Sequence, residues 1–452
     1  MNYELCIMKT SISQTISILR FPLCVVIVLI HSNIALYNAS VNQFTSTHIL
    51  FNYIIGDICF VSLALFFFIS GFLLFREGNF NLVIFKNKII HRVYSLLIPY
   101  ILWNLICFII IFILQQIKPN INLLLHKQIA DFRIQDFILI FWNLREVTGY
   151  QTDQAGPLVG QFWFIQCLLV YTFMAPIIWY ATKKLRMIFV ITLGIIALSG
   201  MIPEVPGFNA YYLYIFILGA YFSINHSSWV LSPKSLIGFM VAYGVLFSMR
   251  IMYQSDIKLI EETLFIFIIL NVVHLLTKNK QLGSIAQYLS VTSFFVFAIH
   301  RYFTSIGLNL CSKIDFQNGY MPIICFLAIS FCSVICSVLA YALMDRFCHK
   351  ALLGNVKKIT SAIFLMQFML SSIAKSSNAL DRRFSAEVIF CALLSFSFLG
   401  HHIEAIHHVE HYVARLRIDP CFGATLGIHR VLHVADLLQD VYGIEAEGKI
   451  TL

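Results

Sequence analysis

Charge is scarce in this chain: 12% of its 452 residues are Asp, Glu, Lys or Arg, against about 25% in an average soluble domain. Hydrophobic residues make up 59%, and 42 of them are Phe. So few charges cannot give a water-facing surface to that much apolar side chain. A bilayer removes the need, because lipid solvates the outer faces. No C-x-x-C pair occurs among the 12 cysteines. Most of them, including Cys24, Cys59, Cys107, Cys167, Cys325 and Cys332, lie inside apolar runs and act as small hydrophobes. That argues against a disulfide framework and against a zinc site. No basic run is interleaved with aromatics, which excludes nucleic acid as a partner. The net charge of +9 has a simpler source in the Lys and Arg of cytoplasmic loops. Internal repeats and low-complexity tracts are also missing.

What is present is a series of apolar runs. A spanning helix needs about 20 mostly apolar residues. Ten candidates follow one another near 14–36, 55–75, 95–116, 160–181, 186–202, 209–225, 234–251, 262–278, 287–309 and 320–344. The first resembles a signal peptide, with Lys9 ahead of the run Phe21 to Ile30, but the many later runs make it a retained first helix. Pro99, Pro176 and Pro322 fall at or near segment ends, where proline costs least. The sequence thus predicts an all-α, polytopic membrane protein with about ten transmembrane helices.

Basic residues set the orientation. With the N-terminus inside, the inner loops hold Arg76, Lys86, Lys88 and Arg92, then Lys183, Lys184 and Arg186, then Lys234, then Lys278 and Lys280. The first outer loop, 37–54, has neither Lys nor Arg. The long outer loop, 117–159, balances its basic residues with Asp131, Asp136, Glu146 and Asp153. This asymmetry places the N-terminus in the cytoplasm, and an inner (plasma) membrane location is expected.

Residues 1–350 form the expected transmembrane domain and 351–452 a C-terminal extension of different character. Its apolar stretches near 361–374 and 386–399 are short for spans. His401, His402, His407, His408 and His411 then crowd one stretch. His407 and His411 have the i, i+4 spacing of a metal pair, but no Glu or Cys ligand sits at matching spacing, so no metal is expected.

Ionisable residues inside a span are expensive and need a function or a partner. The first span has Arg20 and His31, ten residues apart in between. Eleven steps of about 100° return to within ~20° of the same face, and at about 1.5 Å each they separate the two by ~16 Å. An elongated ligand entering from inside would meet Arg20 with its anionic part and His31 with its reactive end. Histidine can take a proton from a hydroxyl and return it. Arg20 can equally snorkel to the headgroups, and His31 can bond a neighbouring helix.

Arg20–x10–His31 resembles the signature of the acyltransferase family 3 membrane proteins. Further pieces match in order: Phe68-Ile69-Ser70-Gly71-Phe72-Leu73-Leu74 in the second span, the basic stretch Lys86 to Arg92, Leu97-Ile98-Pro99-Tyr100 with Trp103-Asn104, Phe162-Trp163-Phe164, and Ser293-Phe294-Phe295 before Ala298-Ile299-His300. The likeness runs over about residues 12–350. It implies transfer of an acyl group, usually acetyl, from cytoplasmic acyl-CoA to a carbohydrate hydroxyl at the far side of the membrane. Acetyl-CoA would be the donor, and the acceptor a cell-surface glycan. On the same resemblance His31 is the expected catalytic histidine and Arg20 its basic partner. Lys86, Lys88 and Arg92 become the expected contacts for the CoA phosphates. Two departures stand out. The family's paired arginines in that stretch are replaced by Lys88, His91 and Arg92. The proline many members have after the ninth-span histidine is Arg301, and His300 itself reads as a structural helix-end residue.

Trp163 can stack on a sugar ring or anchor a helix at the interface. Asp57 and Ser62 can line a polar cavity or cap a helix. Ser70-Gly71 reads as a close helix contact. In the expected mechanism His31 is a general base toward the acceptor, and Arg20 favours the developing negative charge. The alternative from another class is a secondary transporter, or an exporter of a polysaccharide intermediate. The interrupted, paired halves common in transporters are not found here.

Overall fold

The computed structural model describes residues 2–347 except 37, 45–46, 48–50, 52–54, 56–58, 77–79, 118–126, 149–155, 254–256 and 278–288. Asp57, Asp153 and the C-terminal extension with its histidine cluster therefore lie outside the described residues. Those described are helical, with no β-strand among them.

Among the described residues six helices are long and apolar enough to cross a bilayer: α1 (Asn2–His31, apolar from Ile12), α3 (Leu82–Arg92) running on into α4 (Ile98–Ile117), α11 (Pro233–Tyr253), α12 (Lys258–Leu276), α13 (Ser293–Cys311) and α14 (Tyr320–Phe347). A seventh candidate is broken: α7 (Trp163–Phe173) and α8 (Ala175–Leu185) meet at 65° beside Pro176. Three more apolar helices are shorter, α2 (Val61–Leu74), α9 (Met187–Leu198) and α10 (Ala210–Ile224). Each expected segment thus has an apolar helix in it, but six or seven meet the length for a span. The short ones end where local chemistry stops them. Asn209 caps α10 by accepting from the Tyr212 N–H at 3.2 Å. Arg186, at φ 51°, breaks the chain between α8 and α9.

The basic stretch 86–92 is not a loop. The apolar blocks Leu82–Phe85 and Ile89-Ile90 flank Lys86, Asn87 and Lys88, and Asn81 caps the helix by accepting from the Ile84 N–H at 2.8 Å. A single π-helical turn, Val93–Leu97, joins α3 to α4, a distortion that often marks functional positions.

The tightest packing is between α2 and α10. A Cβ on Gly71 would lie 1.9 Å from the Phe216 carbonyl oxygen, and one on Gly219 2.0 Å from that of Phe68. Glycine at both positions lets the backbones touch. Phe67 stacks on Tyr212 at 4.7 Å beside this contact, and Phe68 meets Phe222 and Phe267. Phe67, Phe68, Leu65, Phe216 and Ile217 are buried there. α11 and α12 form an antiparallel pair, fastened at one end by the Arg250–Glu261 ion pair at 2.7 Å and further along by Tyr243 stacked on Phe265.

The connection after α4 carries α5 (Ile134–Leu139) and α6 (Leu144–Thr148). Asp136, fully buried, holds it together. Its carboxylate accepts from the Lys127 ammonium and the Arg133 N–H, both at 2.8 Å. Burial alone would raise that carboxyl's pKa, but these bonds and the two positive charges outweigh it and hold it below its ordinary value.

Candidate functional site

The site is built on the seam between α1 and α13. Three contacts fix their register. The Cys24 thiol donates to the Ser293 carbonyl at 3.3 Å, Arg301 reaches His31, and the Asn38 amide donates to the carbonyls of Cys311 and Ile314 at 2.9 and 2.7 Å. Residue numbers rise together along both helices, so they run parallel. The seam is polar at points spaced along most of its length.

At its centre, Arg301 Nη1 donates to His31 Nδ1 at 2.9 Å. The His31 ring stacks on that of His300, with centroids 5.2 Å apart and planes 30° from parallel. His300 is fully buried. Its Nδ1 lies 2.9 and 3.0 Å from the carbonyl oxygens of Phe297 and Val296. Its Nε2 is buried without a hydrogen-bond partner among the described residues. Gln161 donates to the Ala298 carbonyl at 2.9 Å, and Phe162 stacks on Phe297, so the turn leading into α7 closes against this part of α13.

The other end of α1 is cationic. Arg92, at the last position of α3, is close enough to Arg20 for the two charges to act on each other. Neither has a carboxylate partner among the described residues. Arg20 is exposed and Arg92 half-buried, while Lys86 is exposed and Lys88 half-buried on the same α3. Two guanidiniums within electrostatic reach of each other suit an anion, and each can bind phosphate bidentately.

Trp163, half-buried at the start of α7, lies 5.2 Å from Tyr212 and 6.1 Å from Phe67 between ring centroids. Glu262 acts electrostatically on Tyr211 and Tyr212, so a carboxylate stands near this aromatic group. Of the expected site residues, the structure sets Arg20 and Arg92 within electrostatic reach of each other. It sets His31 on the same helix as Arg20, about three turns away.

Sequence reasoning gave three residues here no part in the chemistry. His300 is mid-helix and stacked on His31, not at a helix end. Arg301 was visible only as a departure from a pattern, and its partner lies 270 positions away. Both were ionisable residues in an apolar run, the same signal that drew attention to Arg20 and His31. Glu262 showed itself as half of an acidic pair, Glu261-Glu262, heading another apolar run. Among the described residues no three His, Cys, Asp or Glu side chains cluster as metal ligands.

The family model described as Acyltransferase domain, that of the acyltransferase 3 family, matches residues 14–342. No protein of curated function and no solved structure matches the chain.

Proposed function

Because this chain belongs to the acyltransferase 3 family and is a multi-pass membrane acyltransferase, we propose that it moves an acetyl group from acetyl-CoA to a hydroxyl of a cell-surface glycan. The observation that carries this reading is the layout of α1. Arg20, within electrostatic reach of Arg92, stands about 16 Å along the helix from an imidazole pair, His31 with His300. That is the layout an elongated donor needs, phosphates at one end and thioester at the other.

The donor is a substrate here. Arg20 and Arg92 would hold its phosphates, with Lys88 on the adjoining turn of α3. Anchoring the remote end positions the thioester and converts binding energy into orientation at the reacting carbon. An imidazole at the far end then takes the acceptor's proton as its oxygen attacks. Trp163, backed by Tyr212 and with Glu262 nearby, is the candidate for the acceptor sugar. An aromatic face covers the ring's C–H groups, and a carboxylate accepts from its hydroxyls. Orientation follows the basic loops, with the N-terminus cytoplasmic and the His31 end toward the outer leaflet of the inner membrane. The exporter reading has no comparable support, since the family is one of acyltransferases.

The test is transfer of labelled acetyl from acetyl-CoA, supplied on the cytoplasmic side of sealed vesicles, into surface glycan. Native protein is compared with His31→Ala at matched membrane levels. Label in glycan that falls by about 10²-fold or more in the variant is expected, the scale of acid–base catalysis. Equal labelling by the two proteins would remove the chemistry from α1.

A further inference from the structure

We infer that His300, rather than His31, carries the lone pair that accepts the acceptor's proton, and that Arg301 fixes this division of roles; the inference rests on the acyl-transfer reading above. The hydrogen bonds assign the tautomers. A guanidinium has five N–H donors and no acceptor. Arg301 Nη1 at 2.9 Å from His31 Nδ1 therefore requires a lone pair on that nitrogen, which leaves the proton of neutral His31 on Nε2. In this state His31's lone pair is engaged and its Nε2 can only donate.

His300 is set the other way. Its Nδ1 faces two carbonyl oxygens, which accept and never donate, so Nδ1 holds the proton. The lone pair is then on Nε2, buried and without a donor among the described residues. Buried acceptors are normally satisfied in native proteins, so an exception calls for an explanation. A substrate hydroxyl supplies one. An Nδ1–H anchored to an acceptor while Nε2 serves as base is also how the histidine of a Ser-His-Asp triad is held, with backbone carbonyls here in the carboxylate's place.

The step balances as follows. The acceptor oxygen bonds to the thioester carbonyl carbon while its proton passes to His300 Nε2. His31 Nε2–H donates to the carbonyl oxygen as negative charge builds there. The C–S bond then breaks, the thiolate leaves, and the proton on His300 goes to the thiolate sulfur. His300 returns to its starting tautomer and His31 never loses a proton. Arg301 is a positioning residue in this scheme, acting through His31.

The test uses full-length protein in membranes. His300→Asn keeps an amide N–H where Nδ1–H donates and removes the Nε2 lone pair. It should lower kcat by about 10²–10⁴-fold, with KM for acetyl-CoA within about twofold of native. Adding Arg301→Met frees His31 to hold its lone pair on Nε2, so the double variant should recover about tenfold over His300→Asn alone. A structural role for either residue would make the double variant the worse of the two. His300→Asn at native kcat, with His31→Ala inactive, would overturn the inference and leave the acyltransferase reading standing. Failure of the native protein to transfer acetyl would instead undo that reading. The tautomers can be read without turnover, from ¹⁵N shifts of histidine-labelled native protein in bilayers. An unprotonated Nε2 on His300 with a protonated Nε2 on His31 supports the inference. A protonated Nε2 on His300 ends it, whether or not the variants fold.

Discussion

The α2–α10 crossing and the α1–α13 seam solve the same problem, holding two helices together where water gives no hydrophobic push between them. The crossing does it with glycine, backbone and aromatic carbon: Gly71 against Phe216, Gly219 against Phe68, Phe67 against Tyr212. The seam does it with a thiol, a guanidinium, two imidazoles and an amide. Packing of the first kind is cheap and rigid, while the second kind buries polar groups that must all find partners. The protein bears that cost where the chemistry is proposed to be, and the crossing supplies a rigid neighbour to set it against.

Gly71→Leu should break the comparison on its scaffold side, with the largest effect. Its Cβ alone would sit 1.9 Å from a backbone oxygen, which no rotamer change relieves. The destabilisation should exceed the ~1–3 kcal/mol usual for overpacking. The readout is the folded fraction in detergent by size exclusion and thermal melting. A variant melting with the native protein would mean that the crossing can open without consequence.

On the seam, Asn38→Ala should behave differently. It strips the donor from two carbonyls, those of Cys311 and Ile314, at about 1–3 kcal/mol for a buried polar group left unmatched. The telling effect is on rate. With the outer end of the register released, His31 drifts against Arg301, and misplacement of about 1 Å can cost up to ~10²-fold. Acetyl transfer per folded molecule should therefore fall in Asn38→Ala while surviving Gly71→Leu molecules work near normally. Equal losses in both would show that the seam has no register of its own.

Much of this was legible in the chain. Hydropathy located an apolar helix in each of the ten segments, and the family motifs pointed to His31, Arg20 and the stretch around Arg92. The segments 186–202 and 209–225 begin where Arg186 and Asn209 start their helices, but hydropathy windows do not see the 65° break inside 160–181, and they read 86–92 as a loop where its residues form a helix. The partner of His31 was beyond reach for a deeper reason. Arg301 can contact it only because α1 and α13 pack parallel in one register, and that register is set by Cys24 and Asn38 meeting backbone carbonyls. A carbonyl has no signature in a sequence, so neither does the pairing it fixes.

Asp136 sharpens the contrast with the smallest effect, because it is a polar cluster built for structure alone. Its carboxyl is held below the free value of 3.8, so it binds protons less readily folded than unfolded. Its contribution is complete above the free value and is lost as pH falls below that value through the folded one. Limited proteolysis of the segment around Lys127–Leu144 should therefore accelerate as pH falls below about 4. Asp136→Asn should be cut faster than native at neutral pH and lose that dependence. Acetyl transfer per folded molecule near neutral pH should hardly change, since this cluster touches neither α1 nor α13. If Asp136→Asn instead lowered transfer as far as Asn38→Ala does, the division between polar groups that brace the fold and those that serve the reaction would fail.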